Sequence, residues 1–457
     1  MKSVYSPNDY KHLSSDSKMI QAAVDEAAKY GATVVIPRVN ERTGECSWEI
    51  DETIILHTGS SVVLENCYMH LVDGCYANFF VNEAVKKNWW KRETRNYDIS
   101  IRGVGNAILD GGKHNGLIEE FLNVYDENGK FVKHTTINGF SNCRINIGIL
   151  MRNAEHIEVS GIRFVRPRYW CMDFEYCSYG HIHDIFFDAD ASTPNQDGLD
   201  LRQGCHNFLI ENLSGKTGDD MVALTNLGHN PKFTNGEDCE MCHDTHDIMI
   251  RNLRSMMLAG CDIIRILNHG GAKMYNVQIS GVEDTTPPDK RRPLAAVRIG
   301  DNSDYRARHN TLGETRNITV RDVVTHARFG CYIANTLCDS VFDNIQMVED
   351  GGIGMYFNTC ELENVTVNGL RYSTLSTPPE SDVGYVSKFH RVRVDSLDAV
   401  YFHNCISAKN LFFRDVVTAK NIDYVFGGNS DIELRAENVV MLDEKTRLSS
   451  IPRVITH

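Results

Sequence analysis

The sequence predicts an all-β chain wound as a single-stranded, right-handed parallel β-helix with a short N-terminal capping helix. Three observations carry that expectation. One short apolar–polar phrase recurs from about residue 150 to about residue 442. Its units follow one another at a step suited to one coil. The chain also opens with an amphipathic helix followed by a buried strand, which suits a plug for the end of a stack.

The helix is read from "SSDSKMIQAAVDEAAKYG", where Ile20, Val24 and Ala27 fall on one face. Ser15 or Asp16 can cap its start and Gly31 can end it. "ATVVIP" then reads as a strand, so residues 1–40 form the expected cap. The recurring phrase appears as "HIEVSGIRFV", "HIHDIFFDAD", "NFLIENLSGK", "NITVRDVVTH", "SVFDNIQMVE" and "NVTVNGLRYS", among others. Each holds an apolar pair with period two, a polar pair rich in Asn, Asp or Gly, and another apolar residue. Ile157, Ile182 and Phe208 open three units at steps of 25 and 26, and Ile318, Val341 and Val365 open three more at 23 and 24. A propeller blade repeats at about 40–50 residues, so these units are too short for one. Strands of a sandwich would not keep one phrase over so many turns. A coil cannot bury its inner face alone, so coils stack into a continuous core. The whole of 1–457 is therefore expected to form one domain, with loops at about 226–244 and 283–314 over a cleft.

Composition bounds the partners. The 457 residues are 42% hydrophobic and 24% charged, as in ordinary globular proteins. A formal net charge of −14 argues against nucleic acid, which favours a basic surface. The arginine-rich stretch Asp289–His309 can still supply a local patch for one acidic sugar, or be a solvated loop. No apolar run reaches membrane-spanning length and the start shows no apolar leader core. The 14 cysteines are scattered, with Cys171, Cys177, Cys205, Cys331, Cys360 and Cys405 at strand or turn positions. They read as small buried hydrophobes in a reducing compartment, and the expectation is the cytoplasm. Nothing in the sequence indicates the oligomeric state.

Chemistry concentrates in "NQDGLDLRQGCHNFLIENLSGKTGDDMVAL", Asn195 to Leu224. Asp197 precedes Asp219 and Asp220 by 22 and 23 residues, close to one coil. Residues one coil apart stack at about 4.8 Å. The three carboxylates are therefore expected on one patch. Like charges that close raise the pKa of at least one of them. One carboxyl can then donate a proton while its neighbours activate water, the division of labour of glycoside hydrolysis. Asp200, between Leu199 and Leu201, either supports the site from behind or, as expected, simply occupies the outward face of a strand.

"NQDG" and "GDD" resemble motifs of the glycoside hydrolase family 28 proteins, the polygalacturonase-like pectin hydrolases. "RPRYWCMDFEYC" upstream and "RIL" at Arg265 to Leu267 resemble that family's aromatic segment and its "RIK". The resemblance implies that Asp219 is the general acid, that Asp197 and Asp220 hold the nucleophilic water, and that Arg265 binds substrate. It also implies inversion at the anomeric centre and no cofactor. Tyr169 and Trp170 offer a stacking platform for a sugar or pack in the core. Arg168, His229 and His269 complete the residues expected near an oligosaccharide substrate. Two family features are missing: no "GHG" follows the double aspartate, and Leu267 stands where the family has lysine. Neutral or modified sugars therefore join plain polygalacturonate as expected substrates. Exo action suits short oligosaccharides, with "NPKFTNGED" covering one end of the cleft.

Three other readings remain at this stage. Cys239, Cys242, His243 and His246 could ligate zinc, touch substrate or form a plain loop; no metal is expected. Asp197, Asp219 and Asp220 could hold calcium for a β-helix polysaccharide lyase. The β-helix could also be a non-catalytic carbohydrate-binding shaft.

Overall fold

A computed structural model describes residues 2–86, 95–112, 123–125, 131–134, 146–226, 243–269, 271–301, 310–348, 352–372, 398–418 and 422–456. The described residues fall into two compact units, one ending at Asp219 and the other starting at Asp220. Each is a stack of parallel-β coils, so the architecture is the expected parallel β-helix. Most of the expected loop at 226–244, with "NPKFTNGED", and residues 302–309 lie outside the described residues.

In the first unit one ladder runs Thr33–Ile36, Ser61–Glu65, Asn96–Asp110, Ala154–Val165, Ser178–Asp188 and His206–Thr217, every step parallel. A second runs Ile54–Leu56, Phe80–Asn82, Ile149–Arg152, Met172–Glu175 and Leu199–Arg202. Stacking therefore begins with Val4–Tyr5, which pairs in parallel with Thr33–Val34, well before the phrase becomes legible at about 150. The early strands are only 2 to 5 residues long, too short to show a period. An antiparallel hairpin, Asn123–Tyr125 with Phe131–His134, stands apart from the ladders.

The second unit repeats the scheme. Val222–Asn226, Ile264–Asn268, Ala295–Ile299, Phe329–Met347, Ile353–Tyr372, Asp398–His403 and Tyr424–Gly428 form one ladder. Thr245–Met257, Met274–Asp284 and Thr315–Thr325 begin the other. Inward residues stack like on like: the rings of Phe357 and Phe402 lie 4.9 Å apart and 7° from parallel. No helix among the described residues is long and apolar enough to cross a membrane.

The polar pair of the recurring phrase has a backbone cause. Each coil turns a corner through two left-handed residues five positions apart. Tyr179 with Asp184, Asn207 with Asn212, Asn317 with Asp322 and Asp339 with Asn344 all have φ between 49° and 58°. That region costs most L-residues about 1–2 kcal/mol, and Asn and Asp tolerate it best. Their side chains then bond from coil to coil. Asn276 donates to Asp247 (2.8 Å), Asn317 to Asn276 (2.6 Å) and Asn344 to Asp322 (2.6 Å).

The capping helix, Asp16–Ala28, starts at Ser15, whose hydroxyl accepts from Lys18 N–H (3.4 Å). It buries Met19, Ile20, Ala23, Val24 and Ala27. Its polar side chains occupy the amide edge of the strands beside it. Asp16 accepts from Glu49 N–H, Ser17 from Asp51 and Glu52 N–H, and Gln21 from Ile55 N–H, at 2.7–3.1 Å. His57 ties the helix down further, one ring nitrogen against Asp25 (2.8 Å) and the other against Glu83 (2.9 Å). Burial opposes the charged imidazole, but the hydrogen bonds to Asp25 and Glu83 outweigh it and raise the pKa. A raised folded-state pKa means stabilisation that is full below the ordinary histidine range and lost as pH rises through the raised value. His57→Gln is thus expected to lower the melting temperature by roughly 1–2 °C at pH 6. A thermal melt repeated at pH 9 should show that difference gone.

Candidate active site

Main-chain register brings the turns of Asp197 and Asp219 together. Asp197 O accepts from Cys171 N–H (2.9 Å), one coil earlier. Gln196 O accepts from Gly218 N–H (3.0 Å) and Asp219 N–H (3.4 Å), one coil later. Gln196 is fully buried and locks its turn: Oε1 accepts from Ala191 N–H (2.7 Å), while Nε2 donates to Pro167 O (2.7 Å) and Asp190 Oδ1 (2.9 Å). A Cβ at Gly218 would sit 2.9 Å from that Oε1, so the "GDD" turn needs its glycine. Asn195, left-handed at φ 58°, donates its amide to Asp219 Oδ2 (3.3 Å).

Asp219 and Asp220 are joined by a peptide bond. One carboxylate oxygen from each of Asp197, Asp219 and Asp220 lies within 4.8 Å of the others. Asp197 and Asp220 are buried, 5% and 3% exposed, whereas Asp219 is only partly buried. The 22-residue separation therefore does become spatial contact. By distance alone the same oxygens could ligate a cation.

The second unit surrounds Asp220. Asp262 N–H donates to Asp220 Oδ1 (2.9 Å), and Arg265 Nη1 lies 3.8 Å from Asp220 Oδ2. Arg265 Nη2 donates to Asp301 Oδ2 (3.0 Å), and Arg298 Nη2 donates to the same oxygen (2.9 Å). Arg298 Nη1 faces Asp262 Oδ2 at 3.5 Å. These arginines share a column because Ala223, Arg265, Arg298 and Tyr332 pair in register. Their strand neighbours Ile264, Ile266, Val297 and Ile299 are buried apolar residues. Period two therefore puts the arginines on the opposite face. Burial pushes the Asp262 carboxyl up to about 7, with Arg298 opposing the rise and Asp220 adding to it.

The remaining expected residues divide. Arg265 stands beside Asp220. Arg168 is 3% exposed, and its guanidinium donates to the carbonyls of Gly111 (2.6 Å), Cys75 (2.5 Å), Val72 (2.8 Å) and Leu71 (3.3 Å). It clamps coils together. His269 is also buried: Nε2 accepts from Asp301 N–H (3.0 Å) and Nδ1 meets Asn335 Nδ2 (3.2 Å). It braces the backbone of Asp301. Tyr169 and Trp170 are half-buried, 4.9 Å apart, and pack on Val81, Ile147 and Leu150. The Arg202 guanidinium lies 5.0 Å over the indole. Packing thus accounts for much of both rings. Asp200 lies on the strand face opposite the buried Leu199 and Leu201, and that face is covered: it is 3% exposed and aligned with Asp173. His229, Cys239 and Cys242 lie outside the described residues. His246 meets Asp247 (2.7 Å) and stacks on Tyr275 (4.9 Å).

Sequence reasoning missed Asn195, Gln196, Asp262, Arg298 and Asp301 as site residues. Arg298 and Asp301 stand in the arginine-rich stretch noted above. The step of 33 from Arg265 to Arg298 was the available signal, and a long inter-coil loop hides it.

Comparison with known proteins places this segment. The model of glycosyl hydrolases family 28 matches residues 68–283, which include all three aspartates and Arg265. Over that stretch the chain is similar to family 28, and the match supports an O-glycosyl hydrolase. No curated protein matches the sequence. Among solved structures, the tailspike protein of E. coli bacteriophage HK620 is 10% identical with a TM-score of 0.63, over 98% of this chain and 78% of that one. That likeness supports the fold alone. A family 28 exopolygalacturonase of Yersinia enterocolitica is 12% identical over 98% of this chain and 78% of that one, with a TM-score of 0.47.

The clamp role of Arg168 has a measurable consequence. Arg168→Ala leaves buried carbonyls unsatisfied and should cost about 3 kcal/mol in urea unfolding. KM of the folded variant should match wild type. A raised KM at unchanged stability would restore Arg168 as a substrate ligand.

Proposed function

We propose that the protein is an inverting, exo-acting glycosidase of pectin-type or related plant or microbial oligosaccharides. The observation that carries this reading is the meeting of three carboxylates within 4.8 Å inside the family 28 segment. Asp219 is the most exposed of the three, which suits the general acid that must reach the glycosidic oxygen. Asp220 is gripped on both oxygens, by Asp262 N–H and by Arg265, which favours its ionised form. With buried Asp197 it suits the carboxylate pair that orients water and takes its proton.

The chemistry then balances without a cofactor. Asp219 gives its proton to the leaving oxygen as the anomeric C–O bond breaks. Water attacks the opposite face of the oxocarbenium-like centre and loses a proton to Asp197 or Asp220. Ordinary inverting pairs stand about 6.5–9.5 Å apart and retaining pairs about 5–5.5 Å. Here one oxygen from each carboxylate lies within 4.8 Å of the others. Inversion here rests on the family resemblance, and it requires water to sit beside the carboxylates instead of between them.

For the sugar, Leu267 stands at the family's lysine position, and Arg265 and Arg298 are both already bound to Asp301. A uronate carboxylate would have to compete with that aspartate. A neutral or modified residue, such as a rhamnose-containing or xylose-decorated unit, fits better. The scattered cysteines support a reducing compartment, with Cys171, Cys205, Cys331 and Cys360 buried and unbridged.

Defined pectic oligosaccharides digested by wild type and Asp219→Asn, followed by anomer-resolved NMR, test this reading. The expected outcome is an inverted first product, one sugar released at a time from a chain end, and kcat lowered about 10³-fold in the variant. Retention would overturn the mechanism and random internal cleavage the exo action. An unsaturated product lost on chelation would establish the calcium lyase instead.

A further inference from the structure

Arg298 is the least expected member of the site. Its side chain is 1% exposed, yet it carries a permanent charge. It lies face-on to the Tyr332 ring at 4.9 Å, and the Tyr332 hydroxyl accepts from Asn358 Nδ2 (2.7 Å). Its fork spans two carboxylates, Asp301 at 2.9 Å and Asp262 at 3.5 Å. Both partners lead to Asp220. Through Asp301 the path goes to Arg265 and then to Asp220 Oδ2. Through Asp262 it goes along that residue's own N–H to Asp220 Oδ1. The five residues close a ring with Arg298 diametrically opposite Asp220.

Resting on the glycosidase reading, we propose that Arg298 is a positioning residue that orients the Asp220 carboxylate through this ring. Arg298 does not touch Asp220 itself. It holds Asp262, whose N–H meets one oxygen, and Asp301, which in turn holds the Arg265 that faces the other. Two consequences follow from its loss. Asp301 would keep only one of its arginines and let Arg265 swing. Asp262 would lose its cation and loosen the main chain that donates to Asp220. Both restraints on the carboxylate would slacken together. Simple core support is a weaker account, because buried ion clusters contribute little net stability compared with apolar residues of similar volume.

The test uses the full-length protein and the oligosaccharide cleaved fastest by wild type. Arg298→Met removes the charge at similar length. It should lower kcat about 100-fold with KM within about threefold, as for other residues that orient a reacting group from behind. It should also move the acid limb of the kcat/KM profile up by about one pH unit, because a carboxylate that loses nearby cations holds its proton more tightly. Arg298→Lys retains one charge but lacks the fork, so a smaller loss of about tenfold is expected. A folded Arg298→Met enzyme with kcat within twofold of wild type and an unmoved limb overturns the proposal. If Arg298→Met fails to fold, Arg298→Lys decides: wild-type kcat and an unmoved limb overturn it, whereas the graded loss with a shifted limb supports it. A wild-type protein that cleaves no oligosaccharide sinks the glycosidase reading first and the positioning role with it. An active wild type with indifferent variants sinks the positioning role alone.

Discussion

Everything in each unit depends on the in-register hydrogen bond between one coil and the next. It repeats at the strand spacing and aligns residues that the sequence holds some 25 positions apart. The apolar core follows from it, because Phe357 can lie on Phe402 only if their strands keep step. The site follows as well. Gln196 O receives the amides of Gly218 and Asp219, and that pairing joins a turn bearing one carboxylate to a turn bearing another. Local charge repulsion is thus imposed by cooperative main-chain bonding, and no single side-chain contact has to overcome it.

The fold was legible where coils are long and phrase-like, and illegible where strands shrink to three residues. Ile157, Ile182 and Phe208 announce their coils, whereas Trp48–Ile50 and Ile54–Leu56 carry too few residues to display a period. The polar corners were visible as composition. Their five-residue left-handed spacing, as at Tyr179 with Asp184, became apparent only with backbone angles. Within the site, the aspartates could be read because they recur at one coil's distance. The partners of Arg168 and His269 within the stack could not be read, because residue type and neighbourhood do not reveal where a side chain's hydrogen bonds are made. Arg298 was overlooked because a loop between Arg265 and its own strand stretches the step beyond the usual coil.

The charge arrangement around Asp220 also bears on what the site can accept. An arginine column offered openly to solvent would attract any uronate. Here Asp301 engages both Arg265 and Arg298. Cations used internally shape the geometry of a carboxylate, so under the proposed function recognition of the sugar would fall to groups that leave less of a sequence signature. That explains how the acid–base residues can be plain while the substrate is not.

The capping helix has a meaning beyond closing the core. A β-helix ends in a row of open amides and carbonyls, the same surface on which each new coil is laid down. A second chain could extend that row as readily as the first. Asp16, Ser17 and Gln21 occupy those amides with side-chain oxygens that no incoming strand can displace cheaply. The helix therefore acts as a chain terminator for polymerisation: stripped of its first thirty residues, the stack would present a sticky end and be prone to grow into filaments.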